Sequence, residues 1–131
     1  MVFAICLRDQ LIGLIALQIN DQHIAKMHYE LIPDHHGKGI MTKSCRSVLD
    51  YAFRELELAE IQIRPGVGNL KSRAIPERVG FRCGGCHEVQ IPRGKSHLVF
   101  YSLSRDDWDK DNRSGHNNRS EPIVAIPAIL T

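Results

Sequence analysis

The chain has 131 residues, enough for one domain with a real core, and its 43% hydrophobic and 24% charged content is ordinary for a globular protein. A net charge of +2, with no basic stripe interleaved with aromatics, argues against a nucleic-acid surface. The longest apolar run, residues 11–17, is far short of a membrane span, and the N-terminus lacks the basic start and cleavage site of a signal peptide. The expectation is a cytoplasmic protein, not a membrane protein, whose four cysteines stay reduced.

Residues 2–8 and 10–19 are rich in Ile, Leu, Val and Phe and are split by Asp9, which predicts a β-hairpin. The second strand is apolar on both faces and is therefore expected to be central. Asn20-Asp21-Gln22 is a turn, and residues 24–32 form a third strand. Its period-2 alternation puts Ala25, Met27, Tyr29 and Leu31 on one face and Lys26, His28 and Glu30 on the other. Residues 33–39 carry Gly37 and Gly39, and a helical pattern starts at once, with apolar positions 40, 41, 45, 48, 49, 52, 53 and 56. Strand, glycine loop and helix in that order present bare amides at the positive end of a helix, where an anion can bind. A Gly-x-Gly pair alone marks tight turns more often than phosphate sites, and this loop is neither GxxxxGK[ST] nor GxGxxG. Lys38 is either a phosphate contact or an ordinary loop lysine.

Residues 58–64 read as a strand parallel to the third, since a helix joins the two, and ligands in such sheets sit at the carboxyl ends of strands. Residues 69–79 read as a second helix stopped by Gly80, but Pro76 falls inside it and predicts a short or kinked helix. Residues 81–91 and 96–103 form a closing hairpin. Residues 105–122 hold little to bury besides Trp108 and are expected to be mobile; residues 123–130 are apolar, broken by Pro127, and fit no element.

Three blocks resemble the GNAT acetyltransferases, most closely the branch that acetylates the α-amino group of ribosomal proteins at Ala or Ser. His36-Gly37-Lys38-Gly39-Ile40-Met41-Thr42 resembles the branch's pyrophosphate loop, with His36 where relatives carry Gln or Arg. Residues 49–56 resemble the end of its long helix. Gly68-Asn69, Ser72-Arg73-Ala74-Ile75-Pro76-Glu77-Arg78 and Gly80-Phe81 resemble its second cofactor helix and the strand after it. Residues 99–103 and Trp108 resemble the closing strand and tail.

The fold this implies is α/β: a GNAT-like mixed, mostly antiparallel sheet with a central parallel pair and two helices, without the family's usual first strand and first two helices. Residues 1–104 would be an incomplete acetyltransferase domain and 105–131 a polar tail with a short apolar end. The implied reaction moves an acetyl group from acetyl-CoA, as cosubstrate, to a primary amine, either a ribosomal protein N-terminus or a small amine. A homodimer is left open. The resemblance assigns the pantetheine to the backbone around Tyr29 and Leu31, and the pyrophosphate to His36, Gly37, Lys38, Gly39, Ile40, Met41 and Thr42. It sets Asn69 and Ser72 near the thioester, with Ser72 stabilising the departing thiolate. An α-amino group with a pKa of about 8 needs only a modest base, and Glu30 and His28, on the polar face of the third strand, are the candidates. Each is otherwise a solvated strand residue.

Two rivals stand beside this reading. One is an inactive relative that binds CoA or a partner. The other is a small metal or redox module on Cys83, Cys86 and His87, which spell Cys-x-x-Cys-His; lacking a second ligand pair, these residues read better as two thiols at a bulge or turn, with no metal assigned.

Overall fold

The computed structural model describes residues 1–113 and 124–128. Strands β1 (Val2–Leu7), β2 (Gln10–Ile19) and β3 (Ile24–Leu31) form an antiparallel meander. Arg8 and Asp9, at φ 51° and 65°, make the left-handed two-residue turn that suits a twisted hairpin. The Asn20 side chain accepts from the amides of Gln22 and Ile24 and so turns β2 into β3. Helix α1 (Ile40–Arg54) leads to β4 (Glu60–Ile63), and α2 (Leu70–Val79) leads to the hairpin of β5 (Arg82–Ile91) and β6 (Gly94–Ser104). Helix α3 (Arg105–Arg113) and strand β7 (Val124–Ala128) follow. The sheet runs β5-β6-β4-β3-β2-β1-β7, and every pairing is antiparallel except β3 with β4. The expected mixed sheet with a central parallel pair is therefore present.

One face of the sheet packs on α1 and α2. The buried side of α1 is the face that its periodicity marks: Ile40, Met41, Cys45, Val48, Leu49, Ala52 and Phe53. These meet Ala25 and Met27 of β3, Ile61 and Ile63 of β4, and Val99, Tyr101 and Leu103 of β6 in a single core. The polar alternates of β3, namely Lys26, His28 and Glu30, are exposed as expected.

Four expectations need correcting. Strand β2 is interior, but it is not buried on both faces: Leu11 is 64% and Leu14 37% exposed. A bulge explains its long apolar run. Ile5 pairs with Gly13 and Cys6 with Leu11, so Ile12 is skipped, strand parity flips, and Ile12 is buried on the same side as Ile15 and Leu17. Of the two outcomes expected at Pro76, the short helix is not the one found: α2 continues through it to Val79 and ends on a left-handed Gly80. The stretch expected to be mobile begins with helix α3, whose residue Asp107 is capped by Ser104 Oγ and whose Trp108, 5% exposed, packs against Phe53. Most of residues 123–130, which fitted no element, form β7, paired antiparallel with β1 from Val2↔Ala128 to Cys6↔Val124. Residues 114–123 and 129–131 lie outside the described part.

Candidate active site

The connection from β3 to α1 is built around two glycines. After a 3-10 turn over Pro33–His35, Gly37 and Gly39 adopt φ of 76° and 74°, left-handed values that strain any side chain. Neither has an atom within 4 Å of where a Cβ would stand, so glycine is needed for the backbone path and the space above the loop is open. Gly39 is the N-cap of α1, with no side-chain cap and no acidic residue in the first turn. The first helical bond runs from Lys43 N to Gly39 O at 3.1 Å, which leaves the amides of Ile40, Met41 and Thr42 without a helical acceptor. Two buried polar atoms without partners flank this loop, Nδ1 of His35 and Oγ1 of Thr42. Together they suit a group rich in acceptor oxygens, such as a pyrophosphate.

Over the loop lies a cleft of about 920 Å³. Its walls are residues 11–14 of β2, 29–31 of β3 with Ile32, the glycine loop with the first turn of α1, and one face of α2 with its cap Asn69. The charged residues lining it are Glu30, Lys71 and Arg78. Strands β3 and β4 pair only from Ile24↔Glu60 to Lys26↔Gln62, so the β4-side edge of residues 27–31 lies outside the ladder. An extended chain could align on that edge.

Hydrogen bonds tie the β3 wall to the α2 wall. The Tyr29 hydroxyl donates to the Ser72 carbonyl at 2.6 Å. His36 donates through Nε2 to the Leu31 carbonyl at 2.7 Å, which leaves Nδ1 to accept from Lys71 Nζ at 3.4 Å. Asn69 Oδ1 caps α2 by accepting from Ser72 N at 3.2 Å. Burial, helped by the neighbouring Cys45 and Tyr101, pushes the Tyr29 phenol well above the ordinary tyrosine range, so it remains a donor through neutral pH. On the far side of α2, Arg73 donates to the Val67 carbonyl and to the Tyr101 hydroxyl, which itself donates to Glu77, and this fixes the helix to β6.

Of the candidates named from sequence, Tyr29, Glu30, Leu31, His36, Gly37, Gly39, Ile40, Met41, Thr42, Asn69 and Ser72 all line this cleft. Lys38 and His28 do not; His28 is exposed on the face of β3 opposite Tyr29. The imidazole of His36 is engaged by Leu31 and Lys71, and the carbonyl of Leu31 is correspondingly occupied. Residues 11–14 line the cleft without having been singled out, because their place depends on the pairing of Gly13 with Leu31, which no local pattern announces. Lys71 lies inside the third family block but carried no signal of its own.

The Cys83, Cys86 and His87 module does not assemble. Cys83 is opposite Tyr101 and Cys86 opposite Val99, on the helix-bearing face, with a bulge between them. His87 is opposite Leu98, on the other face, where it stacks on Phe100 and its Nε2 bonds the Gly84 carbonyl at 2.9 Å. The two thiols at a bulge are as expected; the histidine that would complete a ligand set points away. Among the described residues no group of three His, Cys, Asp or Glu side chains could hold a metal ion.

Residues 1–82 match the model of the acetyltransferase (GNAT) domain. The chain belongs to the GNAT family. It is 43% identical to the putative ribosomal N-acetyltransferase YdaF of Bacillus subtilis over 103 residues, which cover 76% of this chain and 56% of that protein. Among solved structures it is similar to the ribosomal-protein-S5-alanine acetyltransferase of Vibrio fischeri, at 25% identity and a TM-score of 0.69, covering 76% of this chain and 57% of that one. It is also similar to mutant forms of the spermidine/spermine N-acetyltransferase SpeG of Vibrio cholerae, at 28% identity and a TM-score of 0.70, covering 82% and 63%. The chain thus spans a little over half the length of YdaF. The two solved structures share this fold over the matched residues. No helix among the described residues is long and apolar enough to cross a membrane.

Proposed function

We propose that this chain binds acetyl-CoA and transfers its acetyl group to a primary amine, foremost the α-amino group of a protein N-terminus, in the cytoplasm. The observation that carries the reading is the glycine loop at the uncapped N-terminus of α1, flanked by the unpartnered His35 Nδ1 and Thr42 Oγ1, at the base of a cleft beside the parted β3 and β4. The amides of residues 37–42 and the Thr42 hydroxyl would take the pyrophosphate, with Lys38 as a mobile counter-charge. The unladdered edge around Tyr29 and Leu31 would hold the pantetheine arm, with His36 and Asn69 holding the cleft walls on either side.

Bound acetyl-CoA supplies an activated acetyl thioester, and transfer forms an N–C bond, breaks the C–S bond and leaves free CoA thiol. Glu30 would accept the proton that the amine loses, and His28, on the same face of β3 but outside the cleft lining, is the second candidate. Ser72 would hydrogen-bond the departing sulfur from the first turn of α2. Holding both reactants in one cleft supplies the proximity term, which in well-oriented systems is worth several kcal/mol, on the order of 7 or more.

Likeness to YdaF and to the Vibrio fischeri enzyme supports the N-terminal amine, and likeness to SpeG makes a polyamine the competing acceptor. Release of CoA thiol, measured at pH 7.5 with Ala- and Ser-starting peptides against spermidine, separates them. Faster release with the peptides is expected, because an amine of pKa about 8 is substantially unprotonated there while one near 10.4 is not. Release with spermidine alone would reverse the assignment, and binding without release from either would leave a CoA-binding relative.

A further inference from the structure

We propose that Tyr29 is a positioning residue of this cleft: its hydroxyl occupies the Ser72 carbonyl, which Pro76 leaves free, and thereby holds α2 at a fixed distance from β3. The inference rests on the reading of the cleft as an acyl-CoA site. In an uninterrupted helix the carbonyl of residue 72 accepts from the amide of residue 76. Proline has no amide hydrogen, so inside α2 it removes that bond and leaves an orphan acceptor. The replacement comes from 43 residues away in sequence, as the Tyr29 hydroxyl at 2.6 Å.

The consequence reaches further than repair of a helix. Ser72 N is held by Asn69 Oδ1 at 3.2 Å and Ser72 O by Tyr29, so the backbone of this residue is pinned at both of its polar atoms. The first pin belongs to α2 itself; the second crosses the cleft. A proline that would ordinarily weaken a helix here makes a carbonyl available, and the hydrogen bond that a regular helix spends internally joins two walls of the site instead. Cleft width and the direction of the Ser72 side chain then depend on this phenol, beside the exposed link from Leu31 through His36 to Lys71.

The two roles, helix repair and wall spacing, are separable. Alanine at position 76 restores an amide that can reach the Ser72 carbonyl, so helix repair no longer needs Tyr29, whereas wall spacing still does. The experiment compares Tyr29→Phe with its parent in two backgrounds, Pro76 and Pro76→Ala, by melting temperature and by calorimetric titration with acetyl-CoA. Pairing within each background cancels the volume lost at position 76. With Pro76 present, Tyr29→Phe should lower the melting temperature and weaken acetyl-CoA binding about three- to tenfold, the scale of one net hydrogen bond. With Pro76→Ala, the melting loss should disappear and the affinity loss should remain. An affinity loss that disappears with the melting loss, or no affinity change in either background, overturns the proposal while leaving the acyl-CoA reading intact. A parent protein that folds but does not bind acetyl-CoA overturns both.

Discussion

Cys45 shows at a single residue how burial becomes a measurable property. The thiol sits on the inner face of α1 at 1% exposure, and burial pushes its pKa from 9.0 up to about 12. The raised value means that the fold favours the protonated thiol. The stabilisation is therefore complete below pH 9 and is lost as pH rises from 9 towards 12, by at most about 1.4 kcal/mol per pH unit. Tyr29 shifts in the same direction and adds to the alkaline loss. Urea unfolding under reducing conditions at pH 8, 9 and 10 should show a steeper fall in stability for the parent than for Cys45→Ala. Equal slopes would mean that the thiol reaches water in the folded state. Residue identity announced the burial of Cys45, because it falls on the 3.6-residue stripe of α1. Nothing announced the bond of Tyr29 with Ser72. Alternation assigned Tyr29 to the helix-bearing face, and proline chemistry flagged position 76, but joining the two requires a contact between residues 43 apart.

At the scale of elements, the meeting of β2 with β3 leaves no room for a side chain at Gly13. A Cβ on Gly13 would stand 2.4 Å from the Glu30 carbonyl oxygen and 2.9 Å from Leu31 Cδ1. The first of these is backbone and cannot swing aside. Gly13→Ala should therefore push β2 off β3 and cost about 1–3 kcal/mol, the usual range for overpacking, read as a lower urea midpoint at unchanged slope. An unaltered midpoint would show that the strands can separate freely there. The pairing of β2 with its other neighbour, β1, explains why its apolar run is misleading. Ten residues of nearly continuous apolar sequence suggest two buried faces, but the bulge at Ile12 shifts the inward set by one residue and leaves Leu11 and Leu14 exposed at the cleft. Helix α1 was legible because fifteen residues sample its period four times. Helix α3 was not, because its signals are a Ser104 cap, acidic residues in the first turn and one tryptophan, in a segment otherwise too polar to suggest packing. Strand β7 was not, because it gains its place only by pairing with β1, at the opposite end of the chain.

For the whole molecule, the sheet order sets the location of the chemistry. Among the described strands five antiparallel pairings accompany one parallel pair, and the crossover through α1 brings the glycine loop to the carboxyl end of β3, where that pair comes apart. Topology supplies the helix end, the parted strands and the facing α2 together, which is why a motif of seven residues was enough to indicate the cleft's position. The central claim is that this cleft holds acetyl-CoA. Its most direct test is a calorimetric titration of acetyl-CoA into the purified chain and into Gly39→Trp, whose indole would project into the open space above the α1 N-terminus. The account predicts a saturable one-to-one isotherm with the parent, and none with Gly39→Trp, while both proteins melt cooperatively. A cooperatively melting parent that takes up no acetyl-CoA, or a Gly39→Trp variant that binds it as well as the parent, would contradict the account.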